Sequence, residues 1–344
     1  MILNDFDSLW KSLEESSWKR FREGIFIRRI SPDIPHDIFL GYEKTTNQRM
    51  FLIRVNRKNG SEFFQLPQFT GFNVSISEFL DEKPENVMIN FCLNDSDYSD
   101  IFSTLSEDLF YTAEKEKTQT GMVRAVRDRL LMWKQFLDVS GSQGLSLEFQ
   151  RGLYGELRFL RDFMIQNLEI NKAINSWKGP LKANQDFQIS GLGIEVKTSI
   201  AKQHQKIHIT NEQQLDDTGL DSLHLFFLSL RTMEGHGETL PGIIDSIRKL
   251  IELKNEPGYE FETQLIKAGY IDKHRDKYSK TGYSDRAAQL FLVDDQFPKI
   301  IEKDLMPGIG DVNYSIDLSA CYRFKESDEE FISELERVVH GKRN

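Results

Sequence analysis

Cysteine, proline and long apolar runs are all scarce in this 344-residue sequence. The two cysteines, Cys92 and Cys321, stand far apart, which excludes a disulfide framework and a cysteine-rich zinc site. Nine prolines exclude a collagen-like chain. The longest strongly apolar stretch, Leu223 to Leu230, is far shorter than the ~20 residues that cross a bilayer, and the N-terminal residues lack the pattern of a secretory signal. These absences predict a cytoplasmic protein with no membrane partner.

Basic charge is also in short supply. The 44 lysines and arginines face 54 acidic residues, and a net charge of −10 by itself argues against a nucleic-acid partner. The charge is unevenly distributed, however. Residues 150–214 carry nine basic and six acidic side chains, a local charge of +3 that leaves −13 for the rest of the chain. An acidic chain of this kind can still bind nucleic acid locally.

Hydrophobic patterning predicts a β-rich N-terminal domain followed by a mixed α/β domain. After a helix around Leu9 to Phe21, short alternating runs from Gly24 to Leu93 predict an antiparallel sheet. An amphipathic helix follows over Met122 to Leu137, and the small polar stretch from Ser140 to Gly144 is typical of a linker. We therefore expect domains at residues 1–118 and 145–344, joined by a connecting helix and linker at 119–144.

The second domain begins with a predicted helix from Leu147 to about Asn167. Strands are predicted within DFQIS, GIEVKTS and KIHIT, and a further helix near Asn211. The run LHLFFLSL is short and continuously apolar, which predicts a strand buried on both faces. Helices at 240–253, 260–271 and 328–339 and strands near 289–293 and 313–318 complete an α/β (α+β) pattern.

One carboxylate interrupts the apolar face of the helix that opens this domain. On a helical wheel Phe149, Leu153 and Leu157 form a contiguous apolar stripe, and Glu156 lies within it. A carboxylate that faces a core costs several kcal/mol, on the order of 2–7, unless a cation or a hydrogen-bond network meets it. Glu156 is therefore either a buried structural acid paired with a cation such as Arg158, or a functional group.

A predicted hairpin downstream carries a second set of charged residues. A two-residue loop at Gly191-Leu192, in a type II′ turn, places Asp186 opposite Lys197. Shifting the loop to Leu192-Gly193 changes these partners but not the faces, so Asp186, Glu195 and Lys197 share one face of the hairpin. The alternative interpretation is an exposed ladder of ion pairs.

Together these segments resemble the PD-(D/E)XK nuclease superfamily. The resemblance covers about Gly152 to Gln214: a helix that offers Glu156, a strand that begins with Asp186, and a strand that reads Glu195-Val196-Lys197. More narrowly, the chain resembles the bacterial PD-(D/E)XK motif proteins of unassigned activity, through the Gly-Glu-Leu, Trp-x-Gly-Pro, Asp-Phe and Glu-Val-Lys segments. One departure is Gln185, which takes the place of the motif's proline.

The resemblance implies a restriction-endonuclease-like αβββαβ core with a mixed sheet, and a hydrolase that cleaves phosphodiester bonds with Mg²⁺, for which Mn²⁺ substitutes. Asp186, Glu195, the backbone carbonyl of Val196 and Glu156 would hold the metal, and Lys197 would position the attacking water. Gln213 or Gln214 would be an accessory polar residue. The alternative for this last pair is structural, because Thr210-x-x-Gln213 is also a capping-box pattern.

The expected function is thus a Mg²⁺-dependent DNA endonuclease, and the resemblance extends this expectation to restriction of foreign DNA in phage defence. The alternative is a nuclease-fold module that binds nucleic acid, or a protein of a defence complex, without cleavage. A second copy of the chain or other defence-system proteins are the expected protein partners. The N-terminal domain has no pattern that assigns it a function.

Overall fold

The computed structural model describes residues 6–20, 24–60, 63, 66–78, 85–181, 183–254 and 258–340. The chain forms two compact units, Met1–Gly144 and Leu145–Asn344. In the part of the chain that the structure describes, no helix is both long and apolar enough to cross a membrane.

The first unit is β-rich, as the alternating runs predict. Its five-stranded sheet has the order β1-β2-β3-β5-β4, and every neighbouring pair is antiparallel. The predicted first helix begins three residues earlier than expected, and Phe21 lies outside the described residues. The elements are α1 (Phe6–Arg20), β1 (Ile25–Arg29), β2 (Asp37–Glu43), β3 (Gln48–Asn56), α2 (Arg57–Gly60), β4 (Phe72–Glu78), β5 (Asn86–Leu93), α3 (Ser99–Glu114) and α4 (Gln119–Ser140).

The second unit alternates helices and strands. Its first helix continues as a π-helical turn, Leu160–Met164. The elements are α5 (Leu147–Phe159), α6 (Ile165–Asn167), α7 (Ile170–Ser176), β6 (Phe187–Ile189), β7 (Leu192–Ser199), β8 (Lys206–Ile209), β9 (Ser222–Glu234), β10 (Glu238–Thr239), α8 (Leu240–Leu253), α9 (Tyr259–Lys267), α10 (Arg275–Tyr278), β11 (Thr281–Leu292), β12 (Tyr314–Asp317), α11 (Leu318–Cys321), β13 (Lys325–Glu326) and α12 (Asp328–His340).

The main sheet of the second unit is mixed, as the resemblance implies. Its strand order is β10-β11-β9-β7-β6, with β13 also paired to β11. Strands β7 and β9 are parallel, and the other pairs are antiparallel. The continuous apolar run in β9 is buried from Leu223 to Leu230, which confirms the predicted buried strand. The KIHIT strand, β8, pairs with β12 in a separate two-stranded sheet.

The prediction of a helix near Asn211 is wrong. Residues 211–215 form turns, and side chains there bond the backbone in place of a helical ladder. Asn211 Oδ1 accepts a hydrogen bond from Gln213 N at 3.0 Å, and Gln214 Oε1 accepts one from Thr210 N at 2.9 Å. Such local side-chain contacts compete with helix formation, which explains why the capping-box pattern is not followed by a helix.

The predicted position of the hairpin loop is also wrong. The register pairs Phe187 with Ile194 and Ile189 with Leu192, so the two-residue loop is Ser190-Gly191. Both loop residues have positive φ, 47° and 86°, which is the requirement of a type I′ turn. One step beyond the last pair, Asp186 comes opposite Glu195 and not opposite Lys197. The register is displaced by two residues, and a displacement by an even number leaves every side chain on its expected face.

Candidate active site

Glu156 reaches the candidate site from α5. This helix starts at Ser146, whose Oγ accepts a hydrogen bond from Phe149 N at 3.3 Å. Leu153 and Leu157 are buried as the helical wheel predicts, but Phe149 in the first turn is 57% exposed and does not belong to the apolar stripe. Glu156 itself is partly buried, so a charged side chain does lie beside the core.

A turn after α7 holds the Glu156 carboxylate. The indole Nε1 of Trp177, a fully buried side chain, donates a hydrogen bond to Glu156 Oε2 at 2.7 Å. A Cβ on Gly179 would lie within 3.0 Å of both Glu156 Oε2 and Asp186 Oδ1. The two carboxylates therefore converge on this turn, and the absence of a side chain at position 179 makes room for them.

The same turn is bonded to the start of β6. Lys178 N and Gly179 N both donate to the backbone oxygen of Asp186, at 2.6 and 2.9 Å. Trp177 also forms an isolated antiparallel bridge with Phe187. These contacts fix the backbone from which the Asp186 side chain projects. Sequence reasoning noted this segment as part of the resemblance but gave Trp177 and Gly179 no part in the site.

Asp186 and Glu195 are held by the β6–β7 hairpin. Asp186 Oδ2 accepts a hydrogen bond from Val196 N at 2.8 Å, across the two strands. On the neighbouring strand, the side chain of Glu195 is only 2% exposed.

Lys197 links this hairpin to the loop after β8. Its Nζ lies 2.7 Å from Glu195 Oε1 and donates to Gln214 Oε1 at 3.0 Å. The structure therefore brings Gln214 to the candidate site. Gln213, in contrast, has an exposed side chain, and its backbone oxygen accepts a hydrogen bond from Gln185 Nε2 at 3.0 Å.

Gln185, which stands where the motif has proline, connects the strand to this loop. It is 2% exposed, and its Nε2 donates to the backbone oxygens of Gln213 and Asp216, at 3.0 and 3.3 Å. Gln214 lies between these two anchored residues. Gln185 therefore supplies hydrogen bonds that hold the loop of Gln214, and Gln214 is the residue that contacts Lys197.

The charges in this cluster are unbalanced, with three carboxylates and one ammonium. Burial raises the pKa of Glu195 to about 8, with the charge of Asp186 as a second cause. Burial also raises the pKa of Asp186 and raises that of Glu156 well above its usual range, where repulsion from Asp186 adds to the effect. Burial acts to lower the pKa of Lys197, but the charges of Glu195 and Asp186 outweigh it and the pKa is raised.

The donor set fits a hard divalent cation. Carboxylate oxygens are the ligands that Mg²⁺ and Mn²⁺ prefer, and a cation would supply the positive charge that the cluster lacks. Asp186 and Glu195 belong to one hairpin, whereas Glu156 is held by Trp177.

A second acidic group lies elsewhere in the unit. Among the described residues, His224, Glu326 and Glu334 bring three potential ligand atoms within 4.8 Å of one another. Fully buried His224 has Nδ1 2.9 Å from Glu326 and Nε2 3.2 Å from Glu334. Because the two ring nitrogens face different carboxylates, one ion can bind only one of them, and the His224 ring lies between β13 and α12.

The mixed sheet, with a helix carboxylate beside an Asp and a Glu-x-Lys strand, is a nuclease-like fold. The family described as "Putative PD-(D/E)XK family member, (DUF4420)" matches residues 6–319, and the chain belongs to this family. The match includes nearly all of the first unit, so the β-rich unit is part of the family's architecture. No curated protein and no solved structure matches the chain.

Proposed function

We propose that this protein is a Mg²⁺-dependent nuclease that hydrolyses phosphodiester bonds, with DNA as the favoured substrate. The observation that carries the proposal is the convergence of Glu156, Asp186, Glu195 and Lys197 through specific hydrogen bonds. A structural ion-pair network would balance its charges, whereas this one buries three carboxylates against a single lysine. Family membership supports the same chemistry.

In such a reaction a water oxygen bonds to phosphorus and loses a proton, the bond from phosphorus to the leaving oxygen breaks, and that oxygen takes up a proton; negative charge grows on the phosphate in the transition state. Asp186 and Glu195 would hold a divalent cation, and the backbone carbonyl of Val196 would be a further ligand. The hydrogen bond from Val196 N to Asp186 Oδ2 fixes the strand that carries this carbonyl. Glu156 would hold a second cation or orient water. When bound, the cation supplies Lewis-acid polarisation of the phosphate and neutralises its charge.

Lys197 would act on the water and on the phosphate. Its raised pKa keeps the amine protonated at neutral pH, so it works as a hydrogen-bond donor and a positive charge. Two of the three N–H donors of Nζ point to Glu195 and Gln214, and the third can donate to a phosphate oxygen or to the attacking water. Gln214 thus aims the lysine, while the local charge of +3 over residues 150–214 attracts the backbone of the substrate.

Cleavage assays on the full chain test the proposal. Supercoiled plasmid, linear duplex, single-stranded DNA and RNA would each be incubated with Mg²⁺ or Mn²⁺ and with EDTA. We expect metal-dependent cleavage that falls at least about 100-fold in Asp186→Asn and in Lys197→Ala. Matched controls are Asp317→Asn, at an exposed position on β12, and Lys249→Ala, at an exposed position on α8 outside residues 150–214.

Two outcomes would overturn the assignment. Cleavage that persists in both site variants would show that another site or a contaminant is responsible. Nucleic-acid binding that is tight, insensitive to metal and never followed by cleavage would instead support the nuclease-fold binding module. A role in restriction of foreign DNA rests on the resemblance alone, and a loss of protection against phage in cells that carry Asp186→Asn would support it.

A further inference from the structure

A cavity of about 310 Å³ lies beside α5, away from the carboxylates. Arg151 of α5, residues 232–234 of β9, and Lys280, Thr281 and Tyr283 line it. Arg151 and Glu156 are five residues apart on one helix, so their side chains point about 140° apart. The cavity is therefore a separate feature on the other flank of the helix.

Two buried donors in this cavity have no acceptor. Among the residues that the structure describes, neither Arg151 Nε nor Tyr283 Oη has a hydrogen-bond partner. Tyr283 is only 2% exposed, so water does not readily satisfy its hydroxyl. Unmet buried donors are rare and costly in folded proteins, and two of them on the wall of one cavity indicate a ligand that brings acceptor atoms.

The charge of the cavity indicates an anion. Arg151 and Lys280 contribute two positive charges, and the exposed carboxylate of Glu234 contributes one negative charge. The planar guanidinium of arginine matches the oxygens of a phosphate, and a tyrosine hydroxyl can donate to a further oxygen. We infer that this cavity binds the phosphate group of a nucleotide or of a nucleic-acid strand.

The size and lining support a ligand larger than free phosphate. A volume near 310 Å³ falls at the lower end of small-molecule pockets, which are roughly 300–1,000 Å³. The partly exposed apolar side chains of Leu147, Ile200 and Met233 also line it. Apolar surface of this kind can cover a sugar or a base.

Calorimetric titrations with inorganic phosphate, dAMP and oligothymidylate test the inference. They use the full chain in EDTA, so that neither cleavage nor metal binding at the carboxylates contributes. We expect binding to the wild type, at least about tenfold weaker binding in Arg151→Gln, and a smaller loss in Tyr283→Phe. Glu234→Gln should tighten binding, and Lys249→Gln, at an exposed position on α8, should leave it unchanged.

The three probes separate the sources of the phosphate. Equal affinity for dAMP and oligothymidylate assigns the cavity to a mononucleotide, and tighter binding of oligothymidylate assigns it to a strand. In the second case the inference rests on the proposed function for its substrate class. Failure of that function remains distinguishable, because the titrations require no cleavage.

Thermal unfolding distinguishes a ligand site from a structural role. Tyr283→Phe removes an unbonded hydroxyl, so the variant should melt no lower than the wild type. Added dAMP should, however, raise its melting temperature less than that of the wild type. The inference is overturned if none of the three probes binds the folded wild type. It is also overturned if Arg151→Gln and Tyr283→Phe bind all three as the wild type does.

Discussion

Glu195 should make the metal-free protein less stable as the pH rises. Its carboxyl has a pKa of about 8 in the folded chain and an ordinary value of 4.5 when exposed. Between these values the folded state binds the proton and the unfolded state does not, so the free energy of unfolding falls with increasing pH. The contribution is complete below pH 4.5 and is lost as the pH rises through 8.

The size of the effect follows from the pKa difference. The 2% exposure of the Glu195 side chain leaves little solvent screening. Each pKa unit corresponds to about 1.4 kcal/mol, so the whole contribution is about 5 kcal/mol and the part lost between pH 5.5 and 8 is about 3 kcal/mol. Asp186 and Glu156 act in the same direction because their pKa values are also raised. Lys197 does not act in this window, since its pKa is raised from an already alkaline value.

Urea unfolding of the EDTA-treated protein at pH 5.5, 7.0 and 8.5 measures this dependence. Glu195→Gln removes the titrating carboxyl and should flatten the pH profile, and Glu252→Gln, at an exposed position on α8, should leave it unchanged. Added Mg²⁺ should stabilise the wild type more at pH 8.5 than at pH 5.5, because the cation needs the ionised carboxylates. Parallel profiles for the wild type and Glu195→Gln would refute the reasoning.

Two further substitutions test how the site is held. Gly179→Ala places a methyl within 3.0 Å of Glu156 Oε2, so we expect weaker Mn²⁺ binding by calorimetry. Gly258→Ala is its control, because a Cβ there would meet its nearest neighbour at 3.8 Å; equal Mn²⁺ affinity in both variants would contradict the prediction. Gln185→Ala leaves two loop carbonyls without their donor and should lower the free energy of unfolding by about 1–3 kcal/mol, measured in urea. An unchanged midpoint and slope would show that the loop is held by other contacts.

Much of the fold could be predicted because its elements have clear periodicity. Alternation in the N-terminal runs predicts strands that pair in an antiparallel sheet, and the continuous apolar run of β9 predicts its burial. The face shared by Asp186, Glu195 and Lys197 could be predicted as well, although the loop position was wrong. A two-residue loop fixes the parity of the strands wherever it lies, and parity alone decides the faces.

Features that depend on tertiary contact could not be predicted. The loop falls at Ser190-Gly191, where a non-glycine residue, Ser190, adopts a positive φ that the sequence pattern does not indicate. The hydrogen bond from Trp177 to Glu156 joins residues 21 positions apart, and the bonds from Gln185 reach a loop about thirty residues away. No period in the sequence encodes such distances. Arg151 gave no signal either, because its missing acceptor is a property of the folded cavity.

The raised pKa values also explain how the chain can bury three carboxylates before any cation binds. A protonated carboxyl costs far less to bury than a charged one, and burial favours the protonated form of Glu156, Asp186 and Glu195 by raising the pKa of each. On the proposed function, a cation must then displace those protons, and its affinity must rise with pH. Lys197 limits the exchange to the carboxylates, since its own raised pKa keeps its proton in place throughout. Metal loading would therefore exchange carboxyl protons for a divalent cation that a phosphate oxygen can approach, with the lysine charged in both states.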